Sequence, residues 1–251
     1  MTERLDKCIA TCLNIPRSEA VRLIRSGRVT VNGLPLRSSS EKVGPEAVIT
    51  VGGRPVDTRR HLYIMLNKPA GILCVSRDPK APTVLDLLPD SMRRKGLFPA
   101  GRLDRDTVGF VLITDDGDYA HRMLSPRRHV WKRYQAVVDG AVLPEHIRLF
   151  SSGTSLASGE LCQPARLRPL PETQLAEISA NYRLSFPAGS TLAEIEIQEG
   201  KYHQIKRMFG VCDRKVLWLK RLSIGGLELD DMLPEGSCRL LSEEEQALVF
   251  A

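Results

Sequence analysis

Polar side chains crowd the stretch Pro99-Ala100-Gly101-Arg102-Leu103-Asp104-Arg105-Asp106-Thr107-Val108-Gly109, which runs straight into the apolar Phe110-Val111-Leu112-Ile113. Arg102 and Arg105 bracket Asp104. A cation beside a carboxyl favours its ionised form, so such an aspartate suits a nucleophile or an electrostatic stabiliser better than a proton donor. The same residues also fit a plain turn in which Asp104 caps backbone amides and pairs with an arginine. Asp104 and Asp106 could serve a metal-dependent nuclease, but the flanking arginines make a poor metal site. Asp115, Asp116 and Asp118 lack the later ligands of a calcium loop and read as a polar turn.

Other chemistries lack their usual signals. The 19 glycines never fall two apart, so there is no Gly-x-Gly-x-x-Gly fingerprint. Gly200-Lys201 is followed by Tyr202 and is no P-loop. Neither a Gly-x-Ser-x-Gly elbow nor a His-Glu-x-x-His helix occurs. Cys8, Cys12, Cys74, Cys162, Cys212 and Cys238 form no Cys-x-x-Cys pair, which fits reduced, buried thiols. An enzyme built on this chain works with side chains alone.

The elements that would hold such residues can be read from apolar periodicity. Leu62 to Leu66 reads as a buried strand ending at Asn67-Lys68-Pro69, and Phe110 to Ile113 as another. Tyr134 to Val138 and Ala193 to Ile197 are further strands, while Asp118 to Leu124 and Gln204 to Phe209 read as helices. The expectation is an α+β body with a mixed or antiparallel sheet and no internal repeat. His121 and His129 lie among Arg122, Arg127, Arg128, Lys132 and Arg133, a basic stretch suited to phosphate contact. Trp131 and Trp218 read as packing residues.

Composition bounds the rest. With 251 residues, 42% hydrophobic and 26% charged, the chain is neither disordered nor fibrous. Only 5% of residues are aromatic, which argues against a surface built mainly of stacking rings. No apolar run approaches the roughly 18 residues of a membrane helix. The first residues are charged where a signal peptide needs an apolar stretch, so the protein is read as cytoplasmic.

The net charge of +6 is uneven: residues 1–60 hold 11 basic and 6 acidic side chains, a net of +5. That fits an arm for a polyanion as well as a simple solubility bias. Arg4 to Leu13 reads as a short amphipathic helix with Leu5, Ile9, Cys12 and Leu13 inward. A second helix covers Ser18 to Arg25 and is stopped by Gly27. Short strands Val29–Val31 and Val48–Val51 and an Asn32-Gly33 turn follow. Arg4, Lys7, Arg17, Arg22, Arg25 and Arg28 gather on the helical half and suit RNA phosphates. A polar stretch from Gly52 to Arg60 marks the boundary between a unit over 1–56 and a body over 61–251, which the resemblances below imply to be an RNA-binding domain and a catalytic domain.

Two resemblances sharpen this. Arg4-Leu5-Asp6-Lys7, Arg17-Ser18, Ala20, Ile24, Gly27, Val29, Val31 and Asn32-Gly33 resemble the small αL RNA-binding domain named after a small-subunit ribosomal protein. Gly101-Arg102-Leu103-Asp104-Arg105-Asp106-Thr107-x-Gly109, continuing to Thr114-Asp115-Asp116-Gly117, resembles the catalytic loop of the pseudouridine synthases. Three further blocks agree: Met65-Leu66-Asn67-Lys68-Pro69-x-Gly71 with Asp78-Pro79 and Pro82-Thr83-Val84-Leu85; His121-Arg122 with Ser125-Pro126-Arg127 and Lys132-x-Tyr134; and Glu199-Gly200-x-Tyr202-His203-Gln204-x-Lys206-Arg207-Met208-Phe209. The chain looks most like the RsuA-type branch, whose members modify ribosomal RNA. Its segments around Tyr63 to Pro69 and His121 to Arg127 look most like those of members acting on small-subunit rRNA, with large-subunit rRNA the alternative.

The resemblance implies isomerisation of a uridine: the N1–C1′ bond breaks, the uracil turns, and C5 joins C1′. Nothing is oxidised, added or lost, so no cofactor or metal is implied. By the same resemblance Asp104 begins glycosidic cleavage, whether by attack on sugar or base or by removing the 2′ proton. Tyr134 lies against the uracil and assists proton removal at C5. Lys206 pairs with Asp104 where many members carry arginine, losing a two-pronged contact. Arg102, Arg105, His203 and Arg207 are assigned to the RNA, His203 alternatively to a structural hydrogen bond. The target base must leave its stack, at a few kcal/mol. The implied partner is ribosomal RNA, bare or within a partly assembled small-subunit particle, and the implied state a monomer. A non-catalytic rRNA-binding assembly factor is the competing reading, against which the intact Asp104, Tyr134 and Lys206 argue.

Overall fold

The computed structural model describes residues 2–44, 47–56, 58–59 and 61–251; Met1 and, from the expected boundary stretch, Asp57 and Arg60 lie outside the described residues. Contacts divide the chain into two units, residues 1–62 with Leu88–Leu97, and Tyr63–Leu87 with Phe98–Ala251.

In the first unit β1 (Glu3–Arg4) leads into α1 (Leu5–Cys12) and α2 (Arg17–Arg25), followed by β2 (Val29–Val31), β3 (Leu34–Pro35), β4 (Lys42–Val43), β5 (Ile49–Val51) and β6 (Arg54–Val56). Leu5, Cys8 and Ile9 of α1 and Ala20 and Ile24 of α2 pack on Val29, Val43 and Ile49. Each leucine, isoleucine or valine among them contributes roughly 1.5–3 kcal/mol on burial. Leu13, expected inward, is exposed: it caps α1 beyond the last helical turn, and Cys8 takes the inner position. Asn32 and Gly33 both have positive φ and close the β2–β3 hairpin. The expected boundary stretch is partly sheet: Gly52-Gly53 turns β5 into β6, the edge of the order β3-β2-β5-β6. An edge tolerates Pro55 and needs no apolar alternation, which hid this strand in the sequence. Leu88–Leu97 contains a short 3-10 turn, Asp90–Met92, and is tied in by the Arg94 guanidinium donating to the Arg59 carbonyl at 2.7 Å.

The second unit consists of β7 (Tyr63–Lys68), β8 (Phe98–Ala100), β9 (Val108–Thr114), α3 (Gly117–Leu124), β10 (Lys132–Val138), α4 (Pro144–Ser152), β11 (Arg166–Pro169), α5 (Glu172–Tyr182), β12 (Thr191–Ile197), α6 (Gln204–Val211), β13 (Val216–Ile224), β14 (Leu227–Glu228), β15 (Cys238–Leu240) and α7 (Glu243–Leu248). Its sheet runs β11-β12-β10-β13-β9-β7-β15, with β14 on β13 and β8 on β9. β9 and β13 are parallel and the other pairings antiparallel, so the sheet is mixed and the class α+β. All seven residues of β9 are buried, the mark of a central strand. Phe110 and Leu112 join Met65, Tyr119, Met123 and Ile224 in one core, while Val108, Val137, Leu192 and Trp218 pack with Ile178 of α5 in another. Asp116 N-caps α3 by accepting from the Tyr119 amide at 2.9 Å, so this part of the acidic turn serves the helix. No helix among the described residues is long and apolar enough to cross a membrane.

Candidate active site

Asp104 sits in the loop between β8 and β9, Tyr134 points inward from β10, and Lys206 lies in the first turn of α6. All three line one cleft of the second unit, together with Arg102 and His203. Lys206 Nζ lies 3.0 Å from Asp104 Oδ2, and His203 Nε2 lies 3.3 Å from Asp104 Oδ1. The side chains within 4 Å of the Asp104 carboxyl are therefore the Lys206 ammonium and the His203 imidazole rather than the flanking arginines. Lys206 also meets Asp106 Oδ1 at 2.6 Å. Partial burial works against charge on both partners, yet the contacts with the two carboxylates hold Lys206 above its ordinary pKa, and Lys206 holds Asp106 below its own.

His203 can take its place because it stands at the N-cap of α6 with φ of 48°, a left-handed turn that carries it to Asp104. Its ring stacks on exposed Tyr202 at a centroid distance of 3.9 Å.

Three buried cations fix the frame. Lys68, at the end of β7, is fully buried, and its ammonium donates to the carbonyls of Pro69, Arg105 and Thr107 at 3.0, 3.1 and 2.8 Å. It thus staples both flanks of Asp106 to the strand beside β9. Burial pushes its pKa down to about 8. Lys132 donates to the Val130 and Gln198 carbonyls at 2.9 and 3.1 Å, and burial lowers it to about 8 as well. This corrects its assignment to phosphates: its ammonium is turned inward. Arg133, from the same basic stretch, is occupied by Glu194 and Glu228. Arg221 is the third buried cation, donating through Nε to the Phe110 carbonyl at 2.7 Å. Neither Lys68 nor Arg221 is singled out as a site residue in the sequence. The signal available is a lysine or arginine at an inward strand position.

The remaining candidates divide. Arg102 is exposed at the cleft. Arg105 is exposed, but its Nε donates to the Gly71 carbonyl at 3.0 Å while the Gly71 amide donates back at 2.8 Å. Arg207 faces away from the cleft into an ion pair with Glu160 and a hydrogen bond to Ser158. In the first unit, Arg4 and Arg17 both hold buried Asp6, at 2.8 and 2.9 Å. Hydrogen bonds from Arg4, against burial, and then from Arg17 keep the Asp6 carboxyl well below the usual carboxylate range. Lys7 lies 3.9 Å from Glu3. Arg22, Arg25 and Arg28 are exposed.

Residues 62–210 match the family model described as RNA pseudouridylate synthase, and residues 3–49 match the S4 domain. The chain is 40% identical to "Uncharacterized RNA pseudouridine synthase YtzG" of Bacillus subtilis, over 98% of each chain. It is also 40% identical to "Ribosomal small subunit pseudouridine synthase A" of Escherichia coli K12, over 98% of this chain and 99% of the relative. A solved structure described as a pseudouridylate synthase is 33% identical with a TM-score of 0.64, over 98% of this chain and 99% of that one. The family model, these relatives and the solved structure agree, and the chain belongs to the RNA pseudouridylate synthase family.

Proposed function

We propose that the protein isomerises one uridine of small-subunit ribosomal RNA to pseudouridine. The observation that carries this is the Asp104 carboxylate, 3.0 Å from Lys206 and in the same cleft as Tyr134. Asp104 starts cleavage of the N1–C1′ bond, with its charge held in place by Lys206 and His203. The detached uracil turns in the cleft and rejoins through C5. Tyr134 takes part in removing the C5 proton, which restores the ring. The product is an isomer of the substrate: C5 gives up one proton and N1 gains one, so side chains and solvent balance the reaction.

Arg102 at the cleft, and Arg22, Arg25 and Arg28 on the S4 domain, are the exposed cations available to RNA phosphates. Arg105, His203, Arg207, Arg4, Lys7 and Arg17 have protein partners, and reach RNA while keeping them or by exchanging them. The names of the relatives support the small-subunit substrate, and such a substrate places the enzyme in the cytoplasm. We take the working form to be a monomer.

The test uses small-subunit and large-subunit rRNA tritiated at uracil C5, each bare and in partly assembled particles, without added cofactor. Tritium release from the small-subunit RNA is expected, with one new stop after carbodiimide treatment and reverse transcription. Release confined to large-subunit RNA would overturn the substrate assignment, and RNA binding without release would overturn the enzymatic one.

A further inference from the structure

Arg221 is a charge without a counter-ion. It lies on β13 directly opposite Tyr134 across the β10–β13 ladder, and both side chains are buried on the same face of the sheet. Its Nε donates to the Phe110 carbonyl at 2.7 Å, and its Nη1 reaches the Tyr134 hydroxyl oxygen at 3.4 Å. Its Nη2 is buried with no hydrogen-bond partner. Among the described residues no carboxylate pairs with it. A guanidinium taken out of water without an anion is opposed by desolvation, and packing alone would favour an apolar residue here. Buried charges kept in such places commonly answer charge that develops during reaction.

The surrounding groups do not supply the missing anion. From β10 comes Lys132, another buried cation, whose pKa the charge of Arg221 helps to lower. From the loop after β7 comes the Cys74 thiol, which burial keeps protonated and which donates to the Gly101 carbonyl at 3.6 Å. Asp104 in the loop before β9 is engaged by Lys206 and His203 from the start of α6. Glu199, next to that turn, is engaged by Gln204 at 2.8 Å. Among the described residues, the atom beside Arg221 that can become negative and is still unclaimed is the Tyr134 oxygen.

We propose that Arg221 is a positioning residue for the isomerisation, holding the Tyr134 hydroxyl over the uracil and carrying the negative charge of that oxygen while it takes the C5 proton. This rests on the role given to Tyr134 above. Tyr134 enters this step as the phenolate, its hydroxyl proton having passed to solvent; after C5 has bonded to C1′, the proton leaves C5 for that oxygen, which becomes the neutral hydroxyl again. The C5–H electron pair becomes the C5=C6 double bond, and the N1=C6 pair moves onto N1, which is protonated from solvent. Arg221 touches none of the reacting atoms; it acts through the tyrosine.

The experiment measures tritium release at saturating rRNA from pH 6 to 10 for wild type, R221M, R221K, Y134F and R221M/Y134F. Wild-type kcat is expected to rise along a limb that R221M moves to higher pH by about one unit, slowing turnover at neutral pH at least about tenfold. KM should stay within about threefold. R221K should fall between wild type and R221M, which keeps the test open if the methionine variant folds poorly. In the Y134F background R221M should add no further loss. An equal loss at every pH, an unmoved limb, or an undiminished effect of R221M in Y134F would overturn the proposal while leaving the isomerase reading intact. Inactive wild type on every RNA would overturn both.

Discussion

The ammonium of Lys206 lies 3.0 Å from Asp104 Oδ2, bringing the first turn of α6 against the loop that precedes β9. The same ammonium lies 2.6 Å from Asp106, whose side chain is 74% exposed. Water screens an exposed carboxylate and weakens its pull, so the contact that matters for chemistry is the one with Asp104.

K206M should therefore lower kcat about 10²–10³-fold, the usual loss when a preorganised charge partner is removed. D106N should change kcat by less than about threefold. Tritium release under saturating RNA measures both. A D106N loss as large as that of K206M would shift the functional pairing to Asp106.

The basic residues of the S4 domain should divide by what they already hold. Arg22 and Arg25 are exposed on α2, so R22A/R25A should reduce the slope of log K against log salt by about 2. Arg17 is tied to Asp6, and its loss should appear first as about 0.5–1 kcal/mol of stability, because the arginine side chain is 55% exposed. Filter binding at several salt concentrations and urea titration separate the two effects.

Lys68 makes stability depend on pH in a particular direction. Its folded pKa of about 8 lies below the 10.5 expected of a free lysine. Between these values the unfolded chain binds the extra proton, so raising the pH favours the folded state. Below about 8 both states are charged and the desolvation penalty is fully felt. The stability of wild type relative to K68M should thus climb by roughly 2–3 kcal/mol from pH 8 to 10.5. Urea unfolding of both proteins across that range checks the slope, and a flat difference would contradict the burial account.

Much of the site is legible in the amino-acid sequence. Asp104, Tyr134 and Lys206 are legible through the resemblance of their motifs to the pseudouridine synthases, and the folded chain brings them into one cleft. The S4 helices are legible because Gly27 and Pro16 punctuate a clear 3.6-residue period. Arg221 is not legible, because an inward arginine breaks the alternation of β13 that would have marked it as a strand. Lys68 and Lys132 are hidden for a related reason: lysines are seldom buried, and only the fold shows the carbonyls waiting for their ammonium groups. The attachment of Leu88–Leu97 to the first unit depends on contacts distant in sequence, which no local pattern carries.

Gly109 offers a test of the frame itself. Its φ is +97°, and a Cβ there would lie 2.3 Å from the Arg221 carbonyl oxygen, where β9 and β13 pair in parallel. G109A should cost at least about 3 kcal/mol, from backbone strain plus the forced parting of two buried strands. It should also reduce turnover by displacing Arg221. An alanine variant with unchanged melting and activity would contradict the close approach.

The account rests most heavily on Asp104. Tritium release from C5-labelled small-subunit rRNA should proceed with wild type and fall at least about 10⁴-fold with D104N, while RNA affinity and melting temperature stay near wild type. Equal release by the two proteins would remove Asp104 from the reaction, and the reading of this cleft as the isomerisation site with it.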